Sequence, residues 1–308
     1  MKTHAAALVL AASLTTTACD AAPAGGKKDG RPQAMAPTST SPARPLATDA
    51  PPPTARDILR AGWDGAENGR YDADRKVYVD SEPGDGTNET GVWHRLPFTS
   101  GGRSYFTGFT AMTQVEAAEA HGARKPVSLG QATFVLEDGR WRAVDSGFVG
   151  ELAVNASGNP ARIDMDQSGL PPPHRVEDGR MLFALRLSDF AQGTTLGSHA
   201  VLLFDPRGMK RSEARKRDYP NGGWSLVAVL PTGSDNAAAC DGGAVMTCAA
   251  DRGTIRFEAA GTDLPDIRVR RAGTEIVAPG KVRHLGPDNT VLYRYDTARD
   301  EYVVRRER

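Results

Sequence analysis

Residues 132–144 (ATFVLEDGRWRAV) decide the fold class, because they read as two strands joined by a tight turn. β-Branched and aromatic residues are frequent in the first run, and residues 141–144 form a second run of similar character. Asp138-Gly139 lies between the two runs, and this pair favours a two-residue hairpin turn in which both central residues have a positive φ angle. The stretch therefore predicts an antiparallel β-hairpin.

Segments on both sides of this hairpin have counterparts later in the chain. Three pairs of segments are similar: 102–106 and 179–183, 128–136 and 195–204, and 141–144 and 224–227. The second set differs in its turn, because a long segment, Asp205–Gly223, replaces the two-residue turn. Two interpretations stay open: a tandem duplication of a strand–(helix or loop)–hairpin unit, or chance similarity between hairpins.

Most of the remaining chain also favours strands, and only two short helices are expected. Three further strands are predicted near the C-terminus: Thr254–Glu258, Ile267–Arg270 and Val291–Tyr295. Helices are predicted over 54–61, with Thr54 as N-cap and Asp57 in the first turn, and over 112–121. We therefore expect an α+β fold that is mainly β, with antiparallel sheets built from two weakly similar halves, 54–170 and 171–308.

The N-terminus has the pattern of an export signal. Its apolar run, residues 5–14, is too short for a membrane span, which needs about 20 residues, so residues 1–18 indicate a signal peptide. Small residues up to Ala18, followed directly by Cys19, resemble the lipobox of bacterial lipoproteins, although that family usually has Leu where Thr16 stands. The resemblance implies that Cys19 is acylated and anchors the chain. Ordinary cleavage to a soluble secreted protein is the alternative.

Residues 19–53 are expected to be a disordered tether. The segment is rich in Ala, Pro, Thr and Ser and has only Met35 and Leu46 as large apolar residues, so it cannot bury a core. Asp20 resembles the inner-membrane retention signal of enterobacterial lipoproteins. The sequence thus predicts a membrane-anchored lipoprotein that faces the periplasm, with the inner membrane favoured and the outer membrane still open.

Composition and motifs exclude several classes of function. Lys+Arg and Asp+Glu are both 38, so the net charge is +0 and no nucleic-acid partner is expected. No HExxH, phosphate-binding loop or dinucleotide fingerprint is present, so we expect no catalytic residue and no cofactor. Asp164–Gly169 matches the opening of a calcium loop, but Arg175 stands where a bidentate Glu is needed, which favours a polar turn and no metal.

Three sets of residues carry the remaining predictions. Cys240 and Cys248 enclose seven residues and, in an exported protein, predict a disulfide. A basic cluster within 209–217 could contact an anionic surface or an acidic protein, or be a solvated loop; its members are Lys210, Arg211, Arg215, Lys216 and Arg217. Asp145 and Glu151 are the carboxylates that a hydrolase could use.

The order of motifs resembles a loose group of uncharacterised proteobacterial envelope lipoproteins. The similar elements are 102–106, Leu129-Gly130, Ala132, Phe134, Asp138-Gly139, Trp141, the Cys pair, Tyr293, Tyr295 and Tyr302, between Trp93 and Val304. Where that group often has a His-x-Cys-like element, His121 here has no Cys nearby, and no catalytic residue can be transferred. We therefore expect a non-enzymatic envelope lipoprotein that binds a protein or cell-wall component, with an inhibitor or immunity role as a special case. The alternative is a secreted carboxylate-dependent hydrolase.

Overall fold

The described chain is built from two antiparallel β-sheets, as the sequence predicted. This computed structural model describes residues 50–63, 69–82, 86–114, 126–152, 162–163, 169–176, 178–209, 222–258 and 264–305. The elements are α1 (Ala55–Trp63), β1 (Arg70–Asp72), β2 (Val77–Glu82), β3 (Gly86–Ser100), β4 (Arg103–Gln114), β5 (Val127–Glu137), β6 (Arg140–Leu152), β7 (Arg162–Ile163), β8 (His174–Arg175), β9 (Met181–Ala191), β10 (Thr194–Phe204), α2 (Pro206–Met209), β11 (Trp224–Asp235), α3 (Ala237–Cys240), a 3-10 turn (Asp241–Gly243), β12 (Ala250–Glu258), β13 (Asp266–Ala278), β14 (Lys281–Leu285), β15 (Thr290–Asp296) and β16 (Glu301–Val304).

Strand order separates the two sheets along the chain. Strands β1 to β6 form the first sheet in sequence order. The second sheet has the order β16-β15-β13-β12-β11-β10-β9-β7, with β14 beside β13 and β8 beside β9. All described residues belong to one compact unit. The division at residue 170 into two separate domains stays a prediction.

The predicted hairpin and first helix are confirmed. Strands β5 and β6 meet at Asp138 and Gly139, whose φ angles are 49° and 72°, as the two-residue turn requires. Helix α1 follows Thr54, whose backbone N–H donates to Asp57 Oδ2 at 2.9 Å while Asp57 N–H donates to Thr54 Oγ1 at 3.3 Å. This reciprocal pair satisfies donors that the first helical turn leaves unpaired.

The helix predicted over 112–121 is wrong at its start. Met112–Gln114 are the last residues of β4, where Met112 pairs with Ser128 on β5 and Thr113 pairs with Glu89 on β3. Pairing on both sides outweighs the weak helix propensity of this Ala-rich stretch. The rest of the predicted helix lies outside the described residues.

The two halves of the chain pair their strands in the same register. Three cross-strand pairs of the first half match pairs of the second half. Tyr105–Val135 matches Leu182–Leu203, Leu136–Trp141 matches Phe204–Trp224, and Leu129–Gly150 matches Gly197–Gly233. Both β-bulges also recur: those opposite 129/130 and 133/134 of β5, where β6 has one extra residue, match those opposite 197/198 and 201/202 of β10, where β11 has one extra residue. Shared register together with shared bulges supports the tandem duplication over chance similarity.

The two similar sets of strands are stacked in layers. We name β4, β5 and β6 the first unit and β9, β10 and β11 the second unit. Helix α1 covers the face of the first unit that carries Phe106 and Phe134. The opposite face of that unit packs on β9, β10 and β11 of the second unit, where Phe183 holds the position that matches Phe106. The far side of the second unit packs on β12, β13, β15 and β16. Every buried hydrophobic residue of the described chain lies between Ile58 and Tyr302, so a chain that begins at Asp20 retains the complete described core.

Candidate functional site

The outer surface of the C-terminal strands carries a cluster of arginines. Its members, which we name the arginine face, are Arg252 and Arg256 on β12, Arg268 and Arg270 on β13, Arg294 on β15, and Arg305 just after β16. Five of the six are exposed, and Arg268 is half-buried. The cluster lies on neighbouring strands of one sheet, since β12 pairs with β13 and β13 pairs with β15.

Strand alternation explains why the arginines point outward. Ile255 on β12 and Ile267 and Val269 on β13 are buried in the C-terminal core. Because successive side chains in a strand point to opposite faces, the residues between them face solvent. The sequence indicated one solvent-exposed face for these strands, and the structure shows that this face is cationic.

Cross-strand register brings the guanidinium groups close together. Arg256 lies directly opposite Arg268, and Arg270 lies opposite Thr254 on one side and Thr290 on the other. Directly opposed residues of an antiparallel pair have Cβ atoms about 4.5–5.5 Å apart. The face therefore presents several cationic groups and hydroxyl groups within the width of three strands.

Carboxylates neutralise only part of this charge. Glu258 accepts two hydrogen bonds from Arg268, and Asp266 accepts from Arg294 Nε at 3.3 Å and lies 3.7 Å from Arg305. Within the described residues, the other three members of the face, Arg252, Arg256 and Arg270, form no ion pair. With Asp288, which lines the cavity beside the face, six arginines stand against three carboxylates, which leaves a surplus of three positive charges on a chain of net charge +0.

A concave site lies at one side of the arginine face. It is a cavity of about 570 Å³ whose lining includes Arg268, Thr290, Leu292 and Arg305, together with one acid, Asp288. Arg305 is held there by its backbone N–H, which donates to Leu292 O at 2.7 Å. Guanidinium groups bind carboxylate and phosphate oxygens in a bidentate manner, and a hydroxyl adds a further donor. This arrangement is suited to binding oxyanions.

The proposed hydrolase carboxylates are not brought together. Asp145 and Glu151 both lie on β6, six residues apart, so the rise of a strand separates them by roughly 20 Å. The carboxyl groups of glycosidases lie about 5–9.5 Å apart. Asp145 is also buried, whereas Glu151 is exposed. These two residues cannot act as such a pair in this structure.

Asp145 instead ends a chain of buried hydrogen bonds between the two units. Trp224 Nε1 donates to Thr107 Oγ1 at 3.1 Å, and Thr107 lies 2.8 Å from Thr133 Oγ1. Thr133 donates to Gln131 Oε1, and Gln131 Nε2 donates to Asp145 Oδ2, both at 2.7 Å. The links run in one direction, so that each hydroxyl both accepts and donates.

The carboxylate of Asp145 is only half satisfied within the described chain. The backbone N–H of Gly223 also donates to Oδ2, at 2.7 Å, while the buried Oδ1 has no hydrogen-bond partner. Burial raises the pKa of this carboxyl above its ordinary value, and the hydrogen bonds partly oppose that rise. Gly222 touches the same carboxylate, because a Cβ there would lie 2.4 Å from Oδ2. Asp145 thus fixes the backbone of Gly222 and Gly223, the two residues that precede β11.

The predicted disulfide is confirmed, and other predicted sites lie beyond the described residues. Cys240 and Cys248 are bonded, with Cα atoms 5.2 Å apart. The basic cluster 210–217, Cys19, His121 and the calcium-like motif 164–168 all lie outside the described residues. The ends of the long segment are described, and Asp205 N–H donates to Gly223 O at 2.7 Å across its base.

Comparison with known proteins does not assign the chain. No protein family, no curated protein and no solved structure matches it. In the described part of the chain, no helix is long and apolar enough to cross a membrane. The same residues include no cluster of three or more His, Cys, Asp or Glu side chains that could hold a metal ion.

Proposed function

We propose that this protein is a non-enzymatic bacterial envelope lipoprotein that binds an anionic protein or cell-wall component. The observation that carries the proposal is the arginine face, with a surplus of three positive charges on a chain whose total net charge is +0. Exposed cationic clusters attract anionic partners and raise their rate of association. The proposed location in the cell envelope rests on the predicted signal peptide and on Cys19, the predicted acylation site.

The construction of the face favours binding over chemistry. Arginine stays charged at any physiological pH, so it neither takes up nor releases protons as an acid–base catalyst does. Placing Arg256 opposite Arg268 is unfavourable for the sheet itself, since like charges in direct opposition destabilise a strand pair. A binding partner that supplies anions to both groups turns this repulsion into attraction.

A sedimentation experiment with isolated envelope tests the proposal. The chain beginning at Asp20 is used, so that no lipid anchor contributes to binding. A triple variant, Arg252→Ser, Arg256→Ser and Arg270→Ser, is compared with the parent chain. A basic residue near an anionic surface contributes about 1 kcal/mol, so the triple variant should bind about 100-fold more weakly. Parent binding should also weaken as salt rises, because exposed charges are screened over about 8 Å at physiological ionic strength.

The control removes the same charge from elsewhere. Lys76→Asn, Arg95→Ser and Arg70→Ser take three exposed cations from the first sheet and its β1–β2 turn, and Asn tolerates the positive φ angle of Lys76, 55°. This variant should bind envelope as the parent does. Equal loss in both triple variants would show that net charge, not the arginine face, governs binding, and unchanged binding in the first variant would refute the proposal.

A further inference from the structure

The outer edge of the second sheet is open along β14. Strand β14, Lys281–Leu285, pairs with β13 and with no other strand of the described chain. Its first four residues are exposed, and only Leu285 is buried. In an antiparallel strand, every second residue turns its backbone N–H and C=O away from the paired neighbour. The edge therefore offers hydrogen-bonding groups to a further strand.

The open edge begins where β16 stops. One side of β13 pairs with β12, and its other side pairs first with β15, over Ile267–Arg270, and then with β14, over Gly273–Ala278. Strand β16 covers β15 over 293–296 and does not pair with β14. A strand added to β14 would thus continue the row that β16 starts. The edge shares no residue with the arginine face, so this inference goes beyond the proposed function.

Cross-strand register sorts the side chains of the edge into two kinds. Val282 lies opposite Ile276, and these apolar side chains are 41% and 44% exposed. Arg283 lies opposite Glu275, and the two form an ion pair. Because successive side chains of a strand point to opposite faces, Lys281 shares a face with Arg283. The edge is thus apolar on one face and cationic on the other.

The cations are the charges nearest to an added strand. Such a strand would place its side chains about 4.5–5.5 Å from those of Lys281 and Arg283, measured between Cβ atoms. Glu275 lies one strand further away, on β13, and Lys281 forms no ion pair within the described residues. Asp288 lies beyond β14, in the turn that leads to β15. Opposite charges in direct opposition stabilise a strand pair, so the edge favours an acidic strand.

Charge also argues against a second copy of this chain as the occupant. Two β14 edges that paired with each other would bring Lys281 and Arg283 of one copy close to the same cations of the other, which is unfavourable. Lysine on an edge strand is a common protection against such self-pairing. Protection alone does not account for the exposed pair Val282 and Ile276, because apolar side chains on an edge promote pairing.

We propose that the β14 edge binds an extended acidic peptide segment, which joins the sheet as a further strand. Backbone hydrogen bonds to β14 hold the segment, as in other complexes formed by strand addition. Its side chains alternate between acidic residues beside Lys281 and Arg283 and apolar residues beside Val282. The tip of the β13–β14 hairpin is held in place for this role, since Gly280 N–H donates to Thr247 Oγ1 at 3.0 Å.

The probe is a fluorescent synthetic peptide with blocked ends, Glu-Val-Glu-Val-Glu-Val-Glu. Fluorescence anisotropy should show saturable binding to the chain beginning at Asp20. Replacing the central Val of the peptide by Pro removes a backbone donor and should abolish binding, although the charge is unchanged. Lys281→Thr combined with Arg283→Thr should weaken binding about tenfold, because both opposite-charge contacts are lost.

The matched control is the triple variant of the arginine face, Arg252→Ser, Arg256→Ser and Arg270→Ser. It should bind the peptide as the parent does, so this test can fail or succeed independently of the envelope experiment. Weaker binding in the triple variant together with unchanged binding in the Lys281 and Arg283 variant would place the peptide on the arginine face and overturn the proposal.

Hydrogen exchange measured by mass spectrometry provides the second measurement. Bound peptide should slow exchange of the backbone amides of β14, whereas those of β1, an edge strand of the first sheet, should be unaffected. The proposal is overturned if exchange in β14 does not change while peptide is bound. It is also overturned if the Pro peptide binds as tightly as the original, or if the parent chain binds neither peptide.

Discussion

Arg256 on β12 lies directly opposite Arg268 on β13 on the outer face of the sheet, whereas the neighbouring residue, Ile255, is buried on the inner face. Arg268 is hydrogen-bonded to Glu258, and Arg256 also lies near enough to help lower the pKa of Glu258, but Arg256 forms no ion pair within the described chain. Direct opposition of like charges destabilises an antiparallel pair. The arginine face thus lowers the stability of the sheet. We expect such a destabilising arrangement in a surface that binds a partner, and a face that contacts only solvent would not require it.

Relief of this repulsion is the first prediction. Arg256→Thr should raise the free energy of unfolding by about 0.2–1 kcal/mol at low salt, because the like charge opposite Arg268 is gone. Urea unfolding at low and high salt measures this, and the gain should shrink at high salt. Arg270→Thr is the matched control, since Arg270 lies opposite two threonines. Equal gains in both variants would mean that the specific pairing is unimportant.

The buried carboxylate of Asp145 gives the second prediction, which concerns pH. Its pKa is raised in the folded state by burial, so its contribution to stability is full at low pH and is lost as pH rises through the raised value. Asp145→Asn removes that loss while its side-chain oxygen still accepts from Gln131 and Gly223. The unfolding free energy of the variant minus that of the parent should therefore increase from acid to neutral pH.

A difference between two chains is needed because other carboxyls act in the opposite sense. The hydroxyl of Thr54 lowers the pKa of Asp57, and the Arg268 guanidinium lowers that of Glu258, so both groups lose stabilising interactions as pH falls. These contributions cancel in the comparison. Asp145→Ala, which leaves both donors unpaired, should cost about 1–3 kcal/mol at neutral pH. A pH-independent difference between parent and Asp145→Asn would contradict the assignment.

The hydrogen bond between the stacked units gives the third prediction. Thr107→Val keeps the shape of a fully buried side chain but removes the acceptor of Trp224 Nε1, so the free energy of unfolding should fall by about 1–3 kcal/mol. Thr254→Val, on the exposed face of β12, should change it by less than about 0.5 kcal/mol. Chemical unfolding of both variants decides this, and similar small effects would mean that the inter-unit link contributes nothing.

Cys19 gives the fourth prediction, which concerns location. If Cys19 is acylated, Cys19→Ser in the full chain should move the protein from the membrane fraction to the soluble fraction after export. Cell fractionation measures this, with Thr38→Ser, a change in the same N-terminal segment that keeps Cys19, as the control. Mass spectrometry that finds a mature N-terminus elsewhere, without lipid, would contradict the lipoprotein prediction.

Features set by a few neighbouring residues could be predicted from the sequence. The turn at Asp138-Gly139, the cap formed by Thr54 and Asp57, and the Cys240–Cys248 disulfide each depend on short-range chemistry. The repeated segments were also recognisable, because residue types at the hairpins recur. Their common register and matching bulges depend on strand pairing, which sequence similarity alone did not specify.

The candidate sites depend on which strands become neighbours, and the sequence did not predict that strand order. The alternation at 254–258 and 267–270 indicated a wet face, and its arginines were the available signal. Their concentration arises only when β12 pairs with β13 in the register that opposes Arg256 and Arg268. Likewise the open edge of β14 arises because β16 pairs with β15 and not with β14.

Arginine-selective labelling tests the central claim most directly. The chain beginning at Asp20 is treated with a dicarbonyl reagent, alone and with envelope bound, and each arginine is read by mass spectrometry. Arg252, Arg256 and Arg270 should react in the free chain and be protected in the complex, while Arg70 and Arg95 react equally in both. Protection of Arg70 and Arg95, with the three others unchanged, would contradict the assignment of the arginine face as the binding surface.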